Sequence, residues 1–137
     1  VFGALDLNAR NFDIELRRAQ EKEENGVVGF LTQPVLSAEA LENLKRARAA
    51  LQGKLLGGIF PVVSHRNACF LNNEISGMRV CDEIIHLYEG KDRDEAEALA
   101  VTISARIAQE IAPHTDGLYL MTPFRRVELI RKIIEAL

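Results

Sequence analysis

The segment Phe30-Leu31-Thr32-Gln33-Pro34 closes an apolar run that begins at Val27. A short, nearly continuous apolar run predicts a strand that is buried on both faces, here from Val27 to Gln33. Pro34 has no N–H to donate to a sheet, so we expect the strand to end there. Thr32 and Gln33 then stand at the carboxyl end of the strand, which is where α/β folds bind their ligands.

The composition indicates one globular domain. The 137 residues are 47% hydrophobic and 27% charged, which excludes a disordered chain and a membrane-spanning one. A net charge of −3 gives no electrostatic reason to expect a nucleic acid or an anionic membrane as a partner. Cys69 and Cys81 are too few for a disulfide framework, and Val1 to Ala4 lack the basic region of a secretory signal. We therefore expect a reduced, cytoplasmic protein.

Strand and helix patterns alternate along the chain. The predicted strands are 1–5, 27–33, 55–60 and 117–121, and the predicted helices are 12–25, 38–51, 64–73, 81–88, 93–111 and 124–137. This alternation indicates a parallel sheet with right-handed crossovers. A closed (β/α)₈ barrel needs about 250 residues, so four strands amount to half of one. Because the chain opens within a strand, we expect a single partial domain, 1–137, from a longer protein.

Polar side chains follow every predicted strand, and the carboxyl ends of parallel strands share one edge of the sheet. The groups are Asp6 and Asn8, Thr32 and Gln33, Ser64 to Asn67, and Thr122, Arg125 and Arg126. The planar amide of Gln33 suits the amide edge of a heterocycle, and it equally suits the backbone of a loop. No paired acid and base stand near these groups. The chain therefore offers groups that could bind a ligand but no evident catalytic group. This is typical of an enzyme whose cofactor does the chemistry.

The residues also raise the possibility of a metal site. His65 and Cys69 are four residues apart, and Cys81 and His86 follow, which makes four side chains of the kinds that bind zinc. Their spacing matches no known zinc finger, and Cys69 sits in an apolar run of the kind that buries small cysteines. From the sequence alone we assign no metal ligand.

Five segments together resemble the methylenetetrahydrofolate reductase family, above all the reductase half of bacterial bifunctional homocysteine S-methyltransferase/methylenetetrahydrofolate reductases. The segments are FLTQP at 30–34, GIFPV at 58–62, SHRNA at 64–68, AxFLxNEIxG at 68–77 and YLMTPFxRVEL at 119–129. The resemblance implies the C-terminal half of a TIM (β/α)₈ barrel that binds FAD. It also implies reduction of methylenetetrahydrofolate to methyltetrahydrofolate with NAD(P)H, in one-carbon and methionine metabolism.

The resemblance also implies roles for particular residues. Gln33 would contact the pterin, Arg126 would lie near the glutamate tail of the folate, and Asn67 and Leu71 would be further substrate contacts. The positions that would contact FAD are Asn8, Glu15, Arg18 and Lys22, with Lys22 suited by its charge to the diphosphate. Asn8 replaces a histidine of some members, and Arg18 replaces an asparagine.

Two functional carboxylates of that family have no counterpart in this chain: the glutamate that acts as general acid and an aspartate near the flavin. We therefore assign no catalytic residue, and we expect the chain alone to bind flavin weakly and to lack reductase activity. The alternative, from another class of protein, is a non-catalytic half barrel that self-associates as a binding or structural module. In either case the sheet needs cover from the rest of a barrel or from a second copy, so we expect a homo-oligomer.

Overall fold

All four predicted strands and all six predicted helices are present in the computed structural model, which describes residues 1–137. The strands are β1 (Phe2–Leu5), β2 (Gly29–Pro34), β3 (Lys54–Ile59) and β4 (Gly117–Leu120). The helices are α1 (Phe12–Glu24), α2 (Ala38–Ala50), α3 (His65–Glu74), α4 (Asp82–Leu87), α5 (Arg93–Ile111) and α6 (Val127–Ala136). Short 3₁₀ turns span Ala112–His114 and Pro123–Arg125. No helix is both long enough and apolar enough to cross a membrane.

The first three helices begin where the sequence predicts, because a polar side chain caps the start of each. Asn11 Oδ1 accepts from the backbone N–H of Ile14, and Ser37 Oγ accepts from that of Ala40. Ser64 caps α3 in the same way. Each cap satisfies one of the amide groups that the first turn of a helix leaves unpaired.

The sheet runs in the order β1-β2-β3-β4, and every neighbouring pair is parallel. With strands added in one direction only, right-handed crossovers place all the helices on the same face. Gly57 lies on the face that the helices cover, since a methyl group added there would lie 2.8 Å from Ile111 of α5. The core lies between this face and the helices, and its fully buried members include Leu5, Phe30, Leu55 and Ile59.

The opposite face of the sheet has no helix over it. Phe2 and Leu31 are 43% and 38% exposed on this face, while Leu56 and Tyr119 are half-buried there. The face is therefore apolar yet open, as expected for the inner wall of a barrel segment rather than for a sheet covered on both sides.

An extra residue in β2 shifts its register against β3. Leu31 pairs with Leu56, but the next pair is Pro34 with Gly58. Between these two pairs β2 advances by three residues and β3 by two. Pro34 thus belongs to the strand, contrary to the expectation that the strand ends before it. Thr32 lies inside this bulge and is 1% exposed. Its hydroxyl accepts a hydrogen bond from the backbone N–H of Gly58 at 3.1 Å. The bulge therefore replaces a backbone ladder bond with a side-chain one.

Two carboxylates hold the amino ends of the strands. Glu23 accepts from the backbone N–H of Gly53 at 2.6 Å, just before β3. Asp116 accepts from the N–H of Leu55 at 2.9 Å and pairs with Arg48 at 2.9 Å. The hydrogen bond from the Leu55 N–H, and after it the nearby positive charges, hold the pKa of Asp116 below its ordinary value. This end of the sheet is therefore occupied by structural contacts.

The sequence predicts that the last helix buries Val127, Leu129, Ile130, Ile133 and Ile134, but the buried side of α6 is narrower than that. Leu129 and Ile133 are buried against α5, whereas Val127 and Ile134 are 68% and 56% exposed. Val127 and Ile134 are seven residues apart, so they share one side of the helix, which is turned well away from that of Leu129 and Ile133. The expectation that all of them lie inside is wrong for these two.

We expect Thr32→Val to lower the free energy of unfolding by about 1–3 kcal/mol, because it leaves the buried N–H of Gly58 without an acceptor. Valine keeps the shape of threonine, so packing changes little. Chemical denaturation measures the loss. Thr102→Val is the matched control, because Thr102 is an exposed residue of α5 whose hydroxyl bonds only to the carbonyl of Ala98 in the same helix. It should shift stability by under about 0.5 kcal/mol. Equal losses in the two variants would contradict the role given to Thr32.

Candidate functional site

Gln33 lies at the carboxyl edge of β2, and the side chain is half-buried. Both Gln33 and Asp6, which follows β1, lie next to Gly77. A methyl group added at Gly77 would lie 3.3 Å from Gln33 Nε2 and 3.8 Å from Asp6 Oδ2. An amide and a carboxylate therefore converge on a position that only glycine leaves open. We call Asp6, Asn8, Gln33 and Gly77 the rim cluster.

The loop that carries Gly77 is held in place by two asparagines. Asn8 Nδ2 donates to the carbonyl oxygen of Gly77 at 2.9 Å. Asn72 donates to the carbonyl of Val80 at 2.9 Å and accepts from the N–H of Val80 at 2.7 Å. The loop is thus fixed at its middle and at its end. Gly77 has φ of +81°, a conformation that costs little only for glycine.

A cleft of about 580 Å³ adjoins the rim cluster, within the usual size range of small-ligand sites. Its walls are the start of α2, the end of α3 and the loop before α4. Arg79 and Glu39, both exposed, form an ion pair at 3.5 Å on this wall. Asn8 and Gly77 belong both to the cleft and to the rim cluster, whereas Gln33 and Asp6 do not line the cleft.

Three of the four residues expected at FAD lie on one side of α1: Glu15, Arg18 and Lys22. Glu15 Oε1 accepts from the N–H of Asp6 at 3.0 Å, and Lys22 Nζ donates to the carbonyl of Ala4 at 3.2 Å. Both bonds tie α1 to the outer edge of β1. Arg18 and Lys22 are exposed and four residues apart, which places two cations side by side.

Asn67 and Leu71, expected at the substrate, are both largely buried. Asn67 is 7% exposed, and its side-chain oxygen accepts from the N–H of Val63 at 3.1 Å. Its own N–H donates to Ser64 Oγ, so Asn67 is held at the start of α3 by the cap residue and by the residue before the cap. Leu71 is 3% exposed within the main core. In this structure Asn67 and Leu71 serve packing and capping, and their contact with a substrate stays a prediction.

Arg126 lies apart from the rim cluster, between α5 and α6. Its guanidinium forms an ion pair with Glu97, which also pairs with Lys132. Hydrogen bonds from Lys132 and then Arg126 hold the pKa of Glu97 below its ordinary value. A ligand carboxylate would therefore have to compete with Glu97 for Arg126. The preceding Phe124 and Arg125 both have positive φ, which is uncommon outside glycine.

The structure brings together part of the polar set that the sequence predicts at the strand ends. Asp6, Asn8 and Gln33 meet, whereas Thr32 is enclosed by β3 and β4 and does not reach the rim. Asn72 has no signal in the sequence, since its role depends on where the loop returns. No three His, Cys, Asp or Glu side chains lie together in a way that could hold a metal ion.

We expect Gly77→Ala to displace the Gln33 side-chain amide, because the new methyl group would be only 3.3 Å from Nε2. The side-chain amide resonances of Gln33 should shift in a ¹⁵N-correlated NMR spectrum. Gly90→Ala is the matched control: Gly90 also has positive φ, at +68°, but nothing lies within 4 Å of the added methyl group. Both variants should lose about 1 kcal/mol of stability through backbone strain. Unchanged Gln33 resonances in Gly77→Ala would contradict the contact.

No family model matches the chain, and no curated protein matches it. Among solved structures it is similar to an uncharacterized protein from Clostridium thermocellum that binds two copies of 5-methyl-5,6,7,8-tetrahydrofolic acid. The TM-score is 0.61 at 16% sequence identity, and the match covers 98% of this chain and 50% of that one. The chain therefore spans about half the length of this neighbour and shares its fold over that half.

Proposed function

We propose that this chain is the C-terminal half of a (β/α)₈ barrel that binds a reduced folate, and that the barrel belongs to a flavin-dependent methylenetetrahydrofolate reductase. The observation that carries the proposal is the rim cluster, where the Gln33 amide and the Asp6 carboxylate converge at the carboxyl edge of the sheet. The open inner face of the sheet and its one-directional strand order support the barrel.

A pterin has an edge of alternating ring nitrogens, an amide and an amino group. Gln33 offers a donor and an acceptor in one plane, and Asp6 offers an acceptor, so the two suit such an edge. The part of the chain that holds Gly77 is fixed by Asn8 and Asn72, which keeps both groups from being covered by a mobile loop. The neighbour from Clostridium thermocellum, which binds methyltetrahydrofolate, supports a ligand of this class.

FAD is the cofactor that the proposal implies, and the residues of α1 fit one part of it. Arg18 and Lys22 place two exposed cations one helical turn apart, which suits a diphosphate. Glu15 is engaged by the Asp6 N–H, and Asn8 by the Gly77 carbonyl, so these two would act chiefly by fixing the loop after β1. A bound flavin would supply hydride transfer from NAD(P)H. This chain's residues would orient the substrate, while the proton donor would come from the other half of the barrel.

The proposal predicts that the purified chain binds 5-methyltetrahydrofolate and that Gln33→Ala weakens this binding by roughly tenfold, or about 1.4 kcal/mol. Isothermal titration calorimetry on the wild type and the variant measures the change. Gln52→Ala is the control, because Gln52 is an exposed glutamine at the opposite, amino end of β3. We expect Gln52→Ala to bind as the wild type does.

Three results would overturn parts of this proposal. Wild-type affinity in Gln33→Ala would remove Gln33 from the site, and absence of binding in the wild type would argue against the chain as a folate site. A flavin absorbance band with NADH-dependent turnover in the purified chain would show that the missing acid is not needed.

The open inner face favours a second candidate, a non-catalytic half barrel that pairs with another copy of itself. Phe2 and Leu31 expose apolar surface on the β1 and β2 side of that face, and strands in the order β1 to β4 leave one free edge at each end. Two such halves, related by a twofold axis, would have the eight parallel strands of a closed barrel.

This second candidate predicts a dimer in multi-angle light scattering and a shift to monomer in Leu31→Lys, because a charge would enter the shared interior. Leu87→Lys is the control, since Leu87 is 45% exposed on α4, away from the open face. It should leave the dimer intact. A wild-type chain that stays monomeric at high concentration would rule out self-association.

A further inference from the structure

Three polar atoms of the rim cluster have no hydrogen-bond partner within the chain: Asp6 Oδ2 and the nitrogen and oxygen of the Gln33 side-chain amide. The other groups of Asp6 are engaged. Its N–H donates to Glu15 Oε1 at 3.0 Å, and its Oδ1 accepts from the N–H of Asn8 at 2.9 Å. These bonds fix the Asp6 side chain, and they leave Oδ2 as the oxygen of the carboxylate that is free for a ligand.

The orientation of the Gln33 amide sets the order in which these atoms meet a ligand. A methyl group added at Gly77 would lie 3.3 Å from Gln33 Nε2 and 3.8 Å from Asp6 Oδ2, whereas Oε1 is the more distant end of the amide. The amide nitrogen is therefore the end nearer to Asp6. Starting at Asp6, the rim cluster presents an acceptor, then a donor, then an acceptor.

A pterin has two edges that could meet this series, and only one of them is complementary to it. The edge formed by the carbonyl oxygen, N3 and the amino group presents an acceptor and then two donors. The edge formed by the amino group, N1 and N8 presents a donor, an acceptor and, when N8 carries a hydrogen, a second donor. Each group of this second edge then has a partner: the amino group on Asp6 Oδ2, N1 on Gln33 Nε2 and N8 on Gln33 Oε1.

The hydrogen on N8 depends on the oxidation state of the pterin. It is present in 7,8-dihydrofolate and in tetrahydrofolate, but in fully oxidised folic acid N8 is an acceptor and would face Gln33 Oε1. Turning the amide over moves this mismatch to N1 and does not remove it, so one polar contact is always lost.

We propose that the rim cluster selects folates that carry a hydrogen on N8, and that Gln33 sets this selectivity. The inference rests on the folate site proposed above and adds the oxidation state of its ligand. Asp6 contacts the amino group, which all folates share, so Asp6 contributes affinity without selectivity.

The experiment compares three ligands by isothermal titration calorimetry of the purified chain under nitrogen: tetrahydrofolate, 7,8-dihydrofolate and folic acid. We expect the two reduced folates to bind within about threefold of each other and folic acid to bind at least about tenfold more weakly, because it lacks the N8 donor. Dihydrofolate is the informative ligand, since it shares the N8 hydrogen with tetrahydrofolate but differs from it at N5. Gln33→Ala removes both amide contacts and should bring all three affinities within about threefold of one another.

Asp6→Asn keeps the acceptor for the Asn8 N–H and should weaken all three ligands by a similar factor, so the preference for reduced folates stays. Gln52→Ala should change neither affinity nor preference, and circular dichroism checks that each variant keeps its helices. Equal binding of the three ligands, binding of dihydrofolate as weak as that of folic acid, or an unchanged preference in Gln33→Ala would each overturn the selectivity while leaving the folate site in place. If none of the three ligands binds, the proposed function itself fails.

Discussion

The arrangement of the sheet depends on the close approach of Thr32, Gly58 and Tyr119. Thr32 accepts the Gly58 N–H through its hydroxyl and the Tyr119 hydroxyl through its carbonyl, so β2 is joined to β3 and β4 at one point. A side chain at Gly58 would lie 2.8 Å from the Tyr119 oxygen and 2.9 Å from the Thr32 carbonyl. Burial raises the pKa of Tyr119, whose hydroxyl is protonated at neutral pH even without this shift and donates the bond. Only glycine permits this contact.

The bulge that makes this contact also sets the position of Gln33. The extra residue of β2 turns Thr32 into the sheet and leaves Gln33 at the edge beside Asp6 and Gly77. The two ends of the sheet then differ in what they hold. The amino end is closed by the carboxylates of Glu23 and Asp116, while the carboxyl end keeps polar groups with spare hydrogen-bonding capacity. Stability and ligand binding therefore occupy opposite ends.

The sequence predicts the elements well because each one has its own local signal. Periodicity indicates the strands and helices, and Asn11, Ser37 and Ser64 mark helix starts through bonds to residues only three positions away. The rest depends on distant partners. The bulge forms against Gly58 of another strand, and Arg126 forms its ion pair with Glu97 of α5. Asn72 has its role only because the loop after α3 returns to it. The exposed side of α6 was mispredicted because amphipathicity does not say how wide a face the partner covers.

The bond between Tyr119 and Thr32 has a consequence for how the chain folds. Its two residues are 87 positions apart, so the contact closes a long loop and carries a large entropic cost before it forms. Chains dominated by such distant contacts fold slowly. During synthesis β1, β2 and β3 can pair as soon as they emerge. The bond from Tyr119 to Thr32 can form only after the last quarter of the chain is made. The sheet therefore reaches its final form only when β4 is available, and β3 has an unpaired edge until then.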